Sequence, residues 1–147
     1  EKRMEGIEVD PNSSVVHYNF EIAPNGIFDS INLAKTFFHC EVLLNGDNIT
    51  KNEIFFLKPK DLELSKPEYE LSCHKEDAKF VLIITAKVFI YRLFIHTKGV
   101  DGTFSDNFFN LNKGAQKKIF FQQNGNILSE KINKKSFIIK SLYDLQK

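Results

Sequence analysis

The stretch Gly99–Phe121, GVDGTFSDNFFNLNKGAQKKIFF, decides how the rest of the chain is read. It opens with a loop, Gly99-Val100-Asp101-Gly102, and continues into a polar knot, Ser105-Asp106-Asn107, set between Phe104 and Phe108-Phe109. A turn follows at Asn112-Lys113-Gly114, and Lys117–Phe121 reads as a strand. Asp and Asn side chains mimic a backbone turn by bonding main-chain groups nearby, and Gly reaches positive φ without steric cost. The pattern is therefore strand, side-chain-capped turn, short segment, glycine turn, strand. It predicts an all-β sandwich in which Phe104, Ser105, Asp106, Asn107, Phe108 and Gly114 form a structural motif, an Asx-capped corner that buries Phe104 and Phe108.

Composition is that of a folded chain. Hydrophobic residues make up 42% and charged residues 27% of the 147, and the formal net charge is +1. A balanced charge gives no bulk attraction to nucleic acid or to a membrane surface. Phe dominates the aromatics, 15 against four Tyr and no Trp, which weakens a sugar-platform reading because large flat rings serve that purpose best. The most apolar run, Phe80–Ile95, is broken by Lys87 and Arg92 and is too short to span a bilayer. It reads as core strands. The opening Glu1-Lys2-Arg3 reads as a cut rather than a natural start.

Working outward, Met4–Val9 and Val15–Ile22 alternate as strands, with Pro24-Asn25-Gly26 ending the second and a helical turn expected near Asp29 or Ser30. Thr36–Leu44 is the next strand, with Phe38, Cys40, Val42 and Leu44 inward and His39 and Glu41 outward. Asn45-Gly46 is a two-residue hairpin signal, and Asn52–Lys58 returns. Pro59 and Pro67 bracket a semi-rigid connector. Tyr69, Leu71 and Cys73 then alternate, and two long strands follow at Lys79–Thr85 and Val88–Thr97. Only Ala86-Lys87 separates these two, without a turn residue, so an arch from one sheet to the other is expected rather than a hairpin. Gln122–Ser129 reads as loop, and Ser136–Leu142 closes the fold.

Few residues look chemical. His17, His39, His74 and His96 lie on or beside strands without the spacing of a metal pair, and Cys40 and Cys73 read as small buried hydrophobes. Asp101 and Asp106 are close in sequence, but a retaining glycosidase needs two carboxyls roughly 5–5.5 Å apart beside a sugar platform. The pair is better explained by the capped corner, so no catalytic, metal-binding or cofactor-binding residue is assigned. Asn12-Ser13-Ser14 and Asn48-Ile49-Thr50 are formal sequons, which makes Asn12 and Asn48 candidate N-glycosylation acceptors in a secretory eukaryote. Lys113, Lys117, Lys118, Lys131, Lys134, Lys135 and Lys140 make the last third basic, which reads as a solvated strand face.

Three stretches carry a resemblance: FSDNFF with NLNKGAQKKIFF, IFFLKPKDLELSKPEYEL near the middle, and KSLYDL near the end. Together the sequence resembles the C-terminal immunoglobulin-like domains of β-mannosidases of glycoside hydrolase family 2. The resemblance departs from the family where Lys113 and Ala115 flank the turn glycine. It implies a partial immunoglobulin-like domain of the penultimate type over residues 1–64 and a complete C-terminal one over 65–147. It also implies a non-catalytic structural module of a retaining enzyme that hydrolyses terminal β-mannosides. Its partner would be the catalytic (β/α)8 barrel of the same parent chain, with no cofactor, nucleic acid or membrane. The compartment implied is the lysosome in a eukaryote, and the periplasm or cytoplasm in a bacterium. Related β-glucosaminidases carry similar terminal domains. A second class stays open, a stand-alone sandwich module that binds a glycan or protein.

The first half offers four strands where a constant-type sandwich needs about seven in ~100 residues. It is therefore expected to expose apolar surface around Phe20, Phe38 or Phe55, or to cover it with the second half or a neighbouring molecule.

Overall fold

Asn45 and Gly46 both adopt positive φ, 53° and 92°, and this two-residue turn joins β1 (Phe37–Leu44) to β2 (Asp47–Phe55) in a hairpin. Such a turn matches the right-handed twist of the paired strands, and Gly tolerates the conformation freely. Because β2 starts directly after the turn, the returning strand is longer than the expected Asn52–Lys58. The computed structural model describes residues 2–19, 31–125 and 132–146. The chain divides into two compact units, Glu1–Asn32 and Leu33–Lys147.

In the first unit, residues 2–19 contain no strand. This corrects the expectation for Met4–Val9 and for the part of Val15–Ile22 that is described. Alternation alone does not make a strand when no partner strand among the described residues pairs with it. A turn at Pro11-Asn12 is closed by Ser13, whose N–H (3.2 Å) and hydroxyl (2.7 Å) both donate to Asp10 O. The expected end of the second strand (including Phe20), the Pro24-Asn25-Gly26 turn and the helical turn near Asp29 lie outside the described residues, as do Lys131 and the later part of the Gln122–Ser129 loop.

The second unit contains the hairpin and seven further strands: β3 (Tyr69–Glu76), β4 (Lys79–Ala86), β5 (Ile90–Thr97), β6 (Gly102–Phe104), β7 (Phe109–Leu111), β8 (Gln116–Gln123) and β9 (Phe137–Lys140). They form a four-stranded antiparallel sheet ordered β3-β4-β8-β6 and a three-stranded one ordered β7-β5-β9. Four strands against three is the count of a constant-type immunoglobulin sandwich. The expected arch is present, since β4 and β5 belong to different sheets. Among the described residues the only helical elements are short 3-10 turns.

The core lies between the two sheets. Leu82 and Ile84 of β4 and Ile119 and Phe121 of β8 meet Leu93 and Ile95 of β5, all at most 1% exposed. Burying each such side chain contributes about 1.5–3 kcal/mol. Phe104, Phe121 and Phe137 meet in tilted and edge-to-face contacts at 4.8–6.2 Å, closing one end of the core. Gly102 makes this possible: a Cβ there would lie 2.4 Å from the Phe121 ring and 2.5 Å from Gln122 O.

The hairpin turns the opposite face inward from the one expected. Phe37 and Phe55 stack at 5.3 Å and rest on Phe89 (4.4 Å from Phe37) and Tyr91 (4.4 Å from Phe55). His39 and Glu53 share that face through the register, while Cys40, Val42 and Leu44 are exposed. Four rings offer more apolar area than the opposing Cys-Val-Leu row, so they decide which side packs. The expectation that the second half covers the Phe55 surface therefore holds, whereas Cys40 is not a buried hydrophobe.

Candidate functional site

Ser105-Asp106-Asn107 carries the chain from β6 in one sheet to β7 in the other, and Ser105 and Asn107 each replace ladder bonds that the crossing would lose. Ser105 N–H donates to Phe120 O (2.8 Å), and Phe120 N–H donates to Ser105 Oγ (3.0 Å), which extends the β6–β8 ladder by one side chain. Asn107 then reaches the other sheet. Its Oδ1 accepts from Ile95 N–H (2.8 Å) and its Nδ2 donates to Ile95 O (2.8 Å), so one amide side chain imitates a neighbouring strand beside β5. The same Oδ1 accepts from Phe108 N–H at 3.1 Å. Ile95 is 1% exposed, so without Asn107 two buried backbone groups would be left unpaired.

Asp106 is more peripheral. Its Oδ1 accepts from Asn107 N–H (2.7 Å), and its Oδ2 forms an ion pair with Lys117. Lys117 also lies 4.3 Å above the Phe109 ring. Partial burial pushes the Asp106 carboxyl up, but the Lys117 hydrogen bond, the Asn107 amide and the Lys117 charge together outweigh it and hold it below its ordinary range. Its charged partner is a lysine rather than a second carboxylate, the opposite of a glycosidase dyad.

A second asparagine does related work. β5 carries a bulge, with Ile90 opposite Leu111 and Leu93 opposite Phe109, so Tyr91 and Arg92 share one place across from Asn110. Arg92 has φ 54°, and its N–H donates to Asn110 Oδ1 at 2.9 Å. Asn110 Nδ2 donates to Glu53 Oε2 at 2.8 Å and so fastens the hairpin to the sandwich. His39 is poised between Glu53 (3.4 Å) and Glu41 (3.0 Å) on the same hairpin face. This fastening is invisible in the sequence, because Asn110 and Glu53 are 57 residues apart.

Of the motif residues, Phe104 packs in the core as expected, but Phe108 does not. Phe108 has φ 58° and is 58% exposed, with its ring 4.6 Å from Phe94. The crossing swings residue 108 into the left-handed region, which points its ring outward; Asn107 provides the anchoring instead. Gly114, at φ 79°, sits in the turn that Ala115 N–H closes on Asn112 O (2.9 Å), and its own N–H bonds Ala86 O (2.8 Å). Asn12 and Asn48 are both exposed, Asn12 in the turn after Pro11 and Asn48 near the hairpin tip.

A cleft of about 240 Å³ lies where the hairpin meets the connector, lined by Phe37, Phe55, Phe89 and Leu62, with the Lys35–Glu63 ion pair (3.0 Å) among its lining residues. It brings no pair of carboxylates together. Among the described residues no group of three His, Cys, Asp or Glu gathers as metal ligands would. Cys40 and Cys73 are both free thiols, and burial pushes the Cys73 thiol up.

The comparisons with known proteins match this geometry. A mannosidase family model described as an Ig-fold domain matches residues 64–145. A protein named beta-mannosidase A from Neosartorya fischeri is 34% identical over 87 residues, which is 58% of this chain but 9% of that protein. Beta-mannosidase A from Aspergillus fumigatus is 33% identical over the same shares. The chain thus spans less than a tenth of the length of these relatives. Through residues 64–145, the chain belongs to the Ig-fold domain family of the β-mannosidases of glycoside hydrolase family 2.

Proposed function

We propose that this chain is a non-catalytic accessory module of a β-mannosidase-like enzyme, in which residues 65–147 form the terminal immunoglobulin-like domain. Residues 1–64 would be the last part of the domain before it, and both would steady the (β/α)8 barrel of the same polypeptide, which performs the hydrolysis. The observation that carries this reading is how the motif's polar groups are used. Ser105, Asn107 and Asn110 bond main-chain groups of their own sandwich, and Asp106 bonds a lysine, so the most chemical-looking residues are committed to structure. The family match beginning at residue 64, beside the Pro59–Pro67 connector, supports the division.

The test uses the full-length polypeptide. Asn107→Ala should lower the temperature at which hydrolysis of an aryl β-mannoside is lost, while kcat/KM at low temperature stays within about twofold of wild type. A kcat that collapses at low temperature, in a protein that remains folded, would place the motif in the chemistry and overturn the reading. The sequons extend the proposal: in a parent that passes through a eukaryotic secretory pathway, Asn12 and Asn48 would carry glycans. Enzymatic deglycosylation should then shift the mass, and Ser14→Ala with Thr50→Ala should abolish that shift.

A further inference from the structure

The Glu53 carboxylate is held where the hairpin meets the sandwich, with its side chain only 10% exposed. Its Oε2 accepts from Asn110 Nδ2 of β7, but its Oε1 is buried without a hydrogen-bond partner. The atom facing Oε1 is His39 Nδ1, 3.4 Å away and likewise buried without a partner. On the other side of the same ring, His39 Nε2 lies 3.0 Å from Glu41 Oε1. The imidazole is thus set between two carboxylates, one half-exposed and one buried.

A carboxylate offers acceptors only, and a neutral imidazole carries a single N–H. If Nε2–H donates to Glu41, the Nδ1 lone pair is left facing Glu53 Oε1. The other tautomer leaves the Nε2 lone pair facing Glu41. The imidazolium, with an N–H on each side, meets both carboxylates at once. Its charge also offsets the cost of burying Glu53 against the sandwich. Were the hairpin lifted off, water would solvate all three groups and the pairing would count for little. The charged ring therefore favours the docked hairpin over the open one. Among the described residues Glu53 is ion-paired only with His39. Of the other ionisable groups nearby, Lys51 stands opposite Glu41 in the register, and on β5 Arg92 lies 5.7 Å from the centre of the Tyr91 ring, which itself packs on Phe55. β7 presents the uncharged Asn110.

We propose that His39 is a proton-operated clasp: protonation of its ring fastens the β1–β2 hairpin to the sandwich, and loss of that proton loosens it. The fastening is complete below an unfolded histidine's ordinary value of about 6.5 and is lost as the pH rises above it. Loosening would uncover the Phe37 and Phe55 rings that rest on Phe89 and Tyr91. The proposal stands apart from the accessory-module reading, since either could hold without the other.

The experiment is native-state amide exchange of the 147-residue chain at about pH 5.5 and about pH 7.5, either side of that value. Each rate is expressed as protection relative to an unstructured peptide at the same pH. The amides of β1 and β2 should be about fivefold more protected at the lower pH, beyond any change that Leu82 and Ile119 share. In His39→Gln the difference should shrink below about twofold. Glu53→Gln should abolish it by another route. Its amide keeps an acceptor for Asn110 and offers a donor to the neutral imidazole, so the hairpin should be well protected at both pH values. Three results would overturn the proposal: equal hairpin protection at the two pH values in wild type, the wild-type difference persisting in His39→Gln, or the same difference persisting in Glu53→Gln. Leu82 and Ile119, protected as in wild type, show that the sandwich of each variant is intact. If one variant loses its sandwich, wild type and the other variant decide.

Discussion

Asn107 and Asp106 are neighbours in one motif, yet the fold weights them unequally. Asn107→Ala leaves the Ile95 N–H and C=O buried and unpaired, and should lower stability by about 2–3 kcal/mol. Asp106→Ala removes a half-exposed ion pair and one adjacent amide contact, so about 0.5 kcal/mol is expected. Denaturant melts of the two variants should rank them in that order. Asp106 should also respond to acid. Its folded-state carboxyl lies below the ordinary range, so its contribution is present above the unfolded value of about 3.9 and fades as the pH falls through the lowered one. Asp106→Asn should therefore lose little further stability on acidification where wild type does. The two thiols differ as well. Cys40 is exposed, whereas burial raises the Cys73 thiol and reduces its thiolate, so alkylation followed by mass spectrometry should label Cys40 first. Equal labelling rates would contradict the hairpin orientation. The prominence of Ser105-Asp106-Asn107 was readable from residue types, but Asn107's role was not. Its partner Ile95 is twelve residues away on another strand, and sequence spacing carries no record of that distance.

Turns and arches were the most legible elements. Asn45-Gly46 announces its hairpin because few residue pairs accept two positive φ values in succession. Ala86-Lys87 announces its arch by lacking any such residue. The hairpin's inward face was not legible: alternation gives the period of a strand but not which side meets a partner, and Phe89 and Tyr91 settle that from another strand. Phe108 was misread for a related reason, since apolar character suggests burial while backbone handedness, invisible in the sequence, sends the ring outward. Two glycines test the elements directly. Gly102→Ala would force a Cβ into Phe121 and the Gln122 carbonyl, and should cost about 2–3 kcal/mol in a thermal or denaturant melt. Gly46→Ala meets no atom within 4 Å and pays only for its positive φ, about 1 kcal/mol. If the two variants melted alike, the close approach of β6 to β8 would be wrong.

On the scale of the molecule, a sandwich of four strands against three is held by an apolar core common to many β proteins. What distinguishes it is how the chain passes between the sheets. Ser105 completes the ladder it leaves and Asn107 completes the ladder it joins, so the crossing is hydrogen-bonded on both sides. Asn110 extends the same device to the hairpin through Glu53. These ties pair the polar groups at the crossing and along the hairpin seam, while His39 Nδ1, Glu53 Oε1 and Asn112 Oδ1 stay buried without a hydrogen-bond partner. The longer strands of the second half, β3, β4, β5 and β8, could be read from the sequence, whereas β6 and β7, three residues each, fall in stretches that read as loop and short segment. The first half could not be read in that way, because its outer segments have no ladder partner among the described residues. The central claim is that Asn107 acts as the missing strand beside Ile95, and native-state amide exchange measures it most directly. In wild type the Ile95 amide should exchange nearly as slowly as Leu82 and Ile119. In Asn107→Ala it should accelerate about tenfold or more beyond any change those two share. An Ile95 amide that exchanges quickly in wild type, or that merely follows Leu82 and Ile119 in the variant, would contradict the account.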